Sequence, residues 1–232
     1  MVVVPQALER GLEERVLALW GRVVGVEPRV LDRDGLMVVE DHRDIAARRR
    51  ATIRTARGTM VLSAPDEEPL ARGDPAAYAT DVAARAHGVS LLHYLPAPPA
   101  GDRDPRVCIL GAADRPLLGA LQRAAGADAS EEADVDVEHP LAVGLVVGGR
   151  LLAVASLLDE SDDAVDVGVL VDPSVRRRRF GATVVSDISG RAAQSDRLVQ
   201  YRCNLENEAS AGLARTCGFT LWGVLAIASR PD

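Results

Sequence analysis

An apolar stretch from Val167 to Val171 runs through Asp172-Pro-Ser-Val into four consecutive arginines, Arg176, Arg177, Arg178 and Arg179, and then into Phe180, Gly181, Ala182 and Thr183. The chemistry such a run suits is the holding of a phosphate-bearing anion. Val167, Val169, Leu170 and Val171 favour a buried strand, Pro173 forbids its extension, and Phe180, Val184 and Ile188 recur at helical spacing. The arginines therefore fall where a helix begins. A helix start leaves backbone N–H groups unpaired at the positive end of the macrodipole, so an anion docks there and guanidinium groups reinforce it. The plainer reading of the same residues is a solvated basic turn.

Further candidates are scattered. Asn207 precedes a helical segment and can cap it, and Ser210 follows one turn later. Tyr201 lies in a strand-like stretch, where tyrosine is a common half-buried residue, and Asp166 opens the apolar run. Cys108, Cys203 and Cys217 form no Cys-x-x-Cys spacing, which points to reduced, structural thiols and to no metal site.

The elements that must position these residues follow from periodicity and punctuation. After the apolar run comes a helix to about Ala193, then a strand near 200–204, a helix over 208–216 stopped by Gly218, and a closing strand over 219–228. Before it, 106–110 reads as a strand, and Asp114 with Pro116 starts a helix through Ala125 that Gly126 ends. The acidic stretch 128–138 is a loop or frayed helix, either a solvated face or an attractor for a cationic amine. Strands over 141–147 and 151–158 flank Gly148-Gly149, a hairpin turn, and 159–163 makes the next turn.

The stretch 96–105 holds four prolines and a glycine and reads as a linker between a first region, 1–95, and a second, 106–232. In the first region Leu8, Leu12, Val16, Leu19 and Val23 predict an amphipathic helix, 36–39 and 53–62 predict strands, and Asp74-Pro75 starts a helix that Gly88 ends. Residues 90–95 read as a further strand. No catalytic motif occurs there, although Asp81, His87 and His93 could approach a cleft. The alternation of elements predicts an α/β (α+β) chain with a mixed sheet flanked by helices.

Composition narrows the setting. The 232 residues, 47% hydrophobic, can bury a substantial core. No lysine occurs, so all 27 basic residues are arginine, a pattern of high-GC bacterial coding that lowers the weight of arginine content alone. A net charge of -7 argues against nucleic acid as a partner. The N-terminus lacks a basic leader, and no run approaches the roughly 18 apolar residues of a membrane helix, so the expectation is a cytoplasmic protein without a membrane partner.

The stretch Asp166 to Ala182, followed by Asn207-x-x-Ser210-x-x-Leu213-x-x-x-Cys217-Gly218-Phe219, resembles the paired cofactor motifs of the GNAT N-acetyltransferase superfamily, and most of all its glycine N-acyltransferase-like subset. The resemblance covers about 106–229. It implies a sheet splayed at the strand ending in Val171, with acyl-CoA, most simply acetyl-CoA, wedged in the gap. Backbone groups of Val169, Leu170 and Val171 would pair with pantetheine, and Arg176 to Thr183 would meet the pyrophosphate. Asn207 and Ser210 would touch the cofactor as well.

The implied activity is direct acetyl transfer to a primary amine of a small molecule or peptide, without metal, and a homodimer is among the expected assemblies. Asp166 is the candidate base, and Leu170 or Val171 offers an N–H to the thioester oxygen. Two departures stand out. Arg179 occupies the place of the family's first glycine, and Ala214 follows Leu213 where many relatives carry a proton-donating tyrosine. CoA then leaves as the thiolate or with solvent help, or Tyr201, Ser210, Cys203 or Cys217 supplies the proton, or else the protein binds acyl-CoA without turning it over. The region 1–95 is an accessory or degenerate acyltransferase-like α/β region.

Overall fold

The computed structural model describes residues 3–40, 49–97 and 104–230, so most of the expected linker, 98–103, lies outside the described residues. Helix α1 (Arg10–Val24) forms where the spacing predicts it, buries Val16, Leu19, Trp20 and Val24, and ends at Gly25 in the left-handed region. A single turn α2 (Pro28–Leu31) leads to β1 (Gly35–Glu40). The stretch expected as one strand over 53–62 is instead a hairpin of β2 (Arg49–Thr55) and β3 (Gly58–Ser63). Its turn, Ala56-Arg57, is followed by Gly58, the one glycine in the run. The Thr55 hydroxyl oxygen accepts the N–H groups of Arg57 at 3.2 Å and Gly58 at 3.3 Å, so a side chain breaks the run. Helices α3 (Glu68–Gly73) and α4 (Pro75–Arg85) follow, the latter capped by Asp74 accepting the Ala77 N–H at 2.9 Å, and β4 (Gly88–Tyr94) comes next.

Strand β5 (Val107–Ile109) precedes α5 (Arg115–Ala125). Asp114 does not cap that helix; its carboxylate accepts the Gly111 N–H at 3.0 Å and closes the preceding turn. The acidic stretch folds in part as α6 (Ala127–Ala133). Strands β6 (Leu141–Val147) and β7 (Arg150–Ser161) join through Gly148 and Gly149, whose φ values of 59° and 74° are those of the tight hairpin turn that glycine permits. Strand β8 (Ala164–Val171), helix α7 (Phe180–Ala192), β9 (Leu198–Asn204), α8 (Glu208–Thr216) and β10 (Thr220–Ser229) complete the chain close to the expected bounds.

By contacts the chain forms two compact units, Met1–Pro96 with Cys203–Glu208 and Thr220–Asp232, and Ala97–Arg202 with Ala209–Phe219. Both are α/β with mixed pairing. In the first, the strand order is β1-β3-β2-β10-β4, with β1 parallel to β3 and the other neighbours antiparallel. Trp20 stacks on Trp222 at 6.2 Å and donates its indole N–H to the Tyr94 hydroxyl at 2.9 Å, which satisfies the polar atoms this aromatic core buries. The buried Arg50 guanidinium pairs with Glu67 at 2.7 Å and Asp81 at 2.8 Å and lies 4.8 Å from the Tyr78 ring centre, tying β2 to α4. The candidate Asp81 of this region is thereby held by Arg50 and Arg85.

In the second unit the order is β9-β8-β7-β6-β5, parallel between β8 and β9 and antiparallel elsewhere. Side chains alternate between its faces. Leu170 and Val154 pack with Leu118 and Leu121 of α5 and with Val135 and Val137, so α5 and the segment after α6 cover one face. A Cβ on Gly181 of α7 would lie 3.2 Å from Val171 and 3.2 Å from Leu213, so α7 covers the face that Val171 presents and packs against α8. Among the described residues no helix is long and apolar enough to cross a membrane.

Candidate active site

The parallel ladder between β8 and β9 is short. It comprises Ala164 with Leu198, Val165 with Val199 and Asp166 with Gln200, although β8 continues to Val171 and β9 to Asn204. On its other edge β8 stays paired with β7 up to Val171 opposite Ala153. Beyond Asp166, β8 is therefore laddered with β7 and not with β9, and Val169 and Val171 are partly exposed.

Asp166 sits at the fork. Its Oδ1 accepts the N–H groups of Val167 at 3.0 Å and Arg202 at 3.1 Å, and its Oδ2 lies 3.4 Å from the Arg202 guanidinium. The carboxylate thus takes over from the ladder where the strands part. Burial raises its pKa, and the Arg202 charge opposes that rise without cancelling it.

Beyond Val171 the Asp172 carboxylate accepts the Ser174 N–H at 2.8 Å and its hydroxyl at 2.6 Å, and pairs with Arg150 at 2.9 Å. The Ser174 and Arg150 interactions hold its pKa below the ordinary carboxylate range. This fixes the exit of β8. Arg176, Arg177, Arg178 and Arg179 are all exposed, and among the described residues no carboxylate pairs with them. Arg179 occupies the N-cap position of α7 without a side-chain cap, leaving the N–H groups of Phe180, Gly181 and Ala182 as the uncapped first turn.

Arg177 and Arg179 adopt φ values of 65° and 63°. That conformation costs an L residue and suits glycine, the residue that the resembled motif expects where Arg179 stands. With the backbone turned this way, the Arg179 carbonyl accepts the Thr183 N–H at 3.0 Å and hydroxyl at 3.1 Å. Phe180 is flanked by the Arg106 guanidinium, 6.0 Å from its ring centre.

The other candidates divide between the two units. The Tyr201 hydroxyl lies 2.8 Å from the Ser210 hydroxyl, with the buried ring edge-on to Phe219 at 5.5 Å. Ser210 and Ala214 lie one turn apart on α8, and Ala214 is fully buried with no group to donate. Cys217 is buried, its thiol 3.9 Å from the Ala182 carbonyl, and burial pushes its pKa up, so it remains a protonated packing residue. Gly218, at φ 85°, ends α8 in a left-handed turn and lets the Phe219 N–H return to the Ala214 carbonyl at 3.0 Å. Asn207 stands immediately before α8, and its contacts place it with the first unit. Among the described residues no group of three or more His, Cys, Asp or Glu side chains is arranged to hold a metal ion.

One pair went unseen in the sequence. His139 Nδ1 lies 2.9 Å from the hydroxyl of Ser156, which is buried on β7 directly opposite Gly168 of β8. Nothing in the spacing of residues 139 and 156 signals the contact, because it forms only when β6 and β7 align.

A mixed sheet that splays at one strand and feeds a basic helix start is the fold of the GNAT acetyltransferases, and this chain has that fold. Solved structures agree. A protein of Novosphingobium aromaticivorans described as an acetyltransferase of the GNAT family superposes with a TM-score of 0.51 at 20% identity, over 62% of this chain and 66% of that one. An acetyltransferase from the GNAT family of Colwellia psychrerythraea does so with a TM-score of 0.53 at 15% identity, over 78% of this chain and 65% of that one. The match thus spans about two thirds of the length of those proteins. No protein-family model and no curated protein matches the chain.

Proposed function

We propose that the protein is an N-acetyltransferase that moves the acetyl group of acetyl-CoA directly to a primary amine. The observation that carries this reading is the fork after Asp166, where β8 and β9 stop pairing although both continue, immediately upstream of the uncapped, arginine-lined start of α7. A pantetheine arm can pair with the free edge of β8 at Val169 to Val171, and the pyrophosphate can take the N–H groups at Phe180 to Ala182 and the guanidinium groups of Arg176 to Arg179. An N–H of Leu170 or Val171 polarises the thioester carbonyl. The Tyr201 hydroxyl, bonded to Ser210, is the protein group that hands a proton to the departing sulfur. We also place the chain with the glycine N-acyltransferase-like subset, on the motifs around Arg176 and Asn207.

Buried Ala214 favours a second reading, an acyl-CoA-binding protein without turnover. Two measurements separate them. Acetyl-CoA should raise the melting temperature, because a ligand that binds only the native state stabilises by RT ln(1 + [L]/Kd), and Arg176→Ala should diminish that rise. CoA-SH release in the presence of glycine, spermidine, kanamycin or a peptide amine supports transfer. Stabilisation without release supports the second reading, and no stabilisation by acetyl-CoA or longer acyl-CoAs sinks both.

A further inference from the structure

Because Ser156 pairs with Gly168 and Leu158 with Asp166, the residues Asp166, Gly168 and Leu170 share one face of β8 with Ser156, the face covered by α5 and the segment after α6. Helix α7, which the four arginines precede, lies on the opposite face. On the acetyltransferase reading, an acyl-CoA whose pyrophosphate rests at α7 and whose arm follows β8 would present its thioester toward the Ser156 side, where the amine would meet it. We infer that His139 is the catalytic base that deprotonates the acceptor amine, with Ser156 positioning its ring; the inference rests on the acetyltransferase reading given above.

Three observations carry it. First, Asp166, the carboxylate nearest the fork, already engages both oxygens, one with two backbone N–H groups and the other with Arg202. A carboxylate holding the strands at their parting is poorly placed to pick up a proton as well. Second, the His139 ring is only partly buried and makes a single hydrogen bond, through Nδ1 to Ser156, so that Nε2 has no partner among the described residues. When Nδ1 carries the proton and donates it to the Ser156 oxygen, Nε2 presents its lone pair, the tautomer a base needs. Third, the loop that bears His139 is pinned. Arg115 of α5 pairs with Glu138 and reaches Asp136 at 4.0 Å, and the Asp136 carboxylate accepts the Glu138 N–H at 2.9 Å. Both flanking carboxylates are thereby held by Arg115. Gly168 admits the Ala133 carbonyl against β8, since a Cβ there would lie 2.3 Å from its oxygen, and so seats the segment that leads to His139 close on the strand.

The acceptor arrives as an ammonium and gives one proton to Nε2; its lone pair then forms the N–C bond as the C–S bond breaks. The second proton on nitrogen passes to the sulfur, through the Tyr201 hydroxyl or water, and His139 returns its proton to solvent. The products are the amide, CoA-SH and one proton.

The test uses the full chain with acetyl-CoA and whichever of glycine, spermidine, kanamycin or a peptide amine the wild type turns over fastest. His139→Gln should lower kcat about 100-fold, the scale of a lost general base, while acetyl-CoA still raises the melting temperature as it does in the wild type. His139→Ala should lose activity similarly and regain it, saturably, on adding free imidazole, which replaces a base and not a packing contact. Ser156→Ala should lower kcat by a smaller factor with the KM for acetyl-CoA unchanged. Full turnover by His139→Gln, or His139→Ala activity that imidazole does not restore, overturns the assignment. Wild-type binding of acetyl-CoA without turnover also overturns it and leaves the binding reading standing, whereas absence of acetyl-CoA binding removes the acetyltransferase reading itself and His139's role with it.

Discussion

Arg179 offers a perturbation whose magnitude can be worked from its backbone. At φ 63° and ψ 6° it holds the left-handed conformation that costs an L residue about 1–2 kcal/mol. Glycine removes that cost but adds about 0.5–1 kcal/mol of lost chain freedom on folding. Arg179→Gly should therefore stabilise the protein by up to about 1.5 kcal/mol, which at about 2–4 °C per kcal/mol for a chain of this length is a rise of at most about 3–6 °C in melting temperature. Arg179→Ala keeps the strained conformation and removes the same guanidinium, so it should melt near the wild type. The difference between the two variants isolates the backbone. Both lose one positive charge beside the α7 start, worth up to about 1 kcal/mol toward an anion, so both should bind acetyl-CoA up to about fivefold more weakly. Melting curves with and without acetyl-CoA read both quantities at once. If the Gly and Ala variants melt together, the left-handed turn is not the constraint at position 179; if acetyl-CoA stabilises them as much as the wild type, this arginine does not serve the pyrophosphate.

Other consequences are equally direct. Gly168→Ala drives a Cβ into the Ala133 carbonyl, 2.3 Å away, and should cost about 1–3 kcal/mol in chemical denaturation; an unchanged midpoint would show that the segment after α6 yields freely. Arg50→Ala removes the buried partner of Glu67, which keeps only Arg230 at 3.6 Å and the Tyr78 hydroxyl at 3.0 Å, and should cost about 1–3 kcal/mol, read as a lowered denaturation midpoint at neutral pH. Burial pushes the Glu67 pKa up, but hydrogen bonds from Arg50 and Tyr78 more than offset it and leave the group below its ordinary value. Its contribution is then complete above the ordinary glutamate range, about 4.3, and is lost as pH falls through the depressed value, so the wild type should lose more stability than Arg50→Ala on acidification below about pH 4. A thiol reagent should label exposed Cys108 in the native protein and reach buried Cys203 and Cys217 only on unfolding; rapid labelling of Cys217 would contradict its place against Ala182.

Local patterns carried far where the physics is local. The strand ending at Val171, the helix opening at Phe180, the Gly148-Gly149 turn and the Gly218 stop each depend on a few neighbouring residues whose conformational preferences are strong, and all stand close to where the spacing puts them. The hairpin within 53–62 was hidden because its turn is a short one closed by the Thr55 side chain, and Gly58 by itself is a weak signal that a strand interior can also carry. The left-handed backbone of Arg177 and Arg179 was equally invisible, since no preference of arginine announces it.

What the sequence determined by itself was the α/β class and a run of arginines at a helix start, since both rest on local preferences. What only the tertiary structure decided was where pairing stops. The three-residue ladder between β8 and β9, the Asp166 carboxylate at its end, the insertion of β10 between β2 and β4, and the contact of His139 with Ser156 all join residues far apart in the chain. Such contacts follow from strand register, which is set by how whole faces pack together and by no short motif.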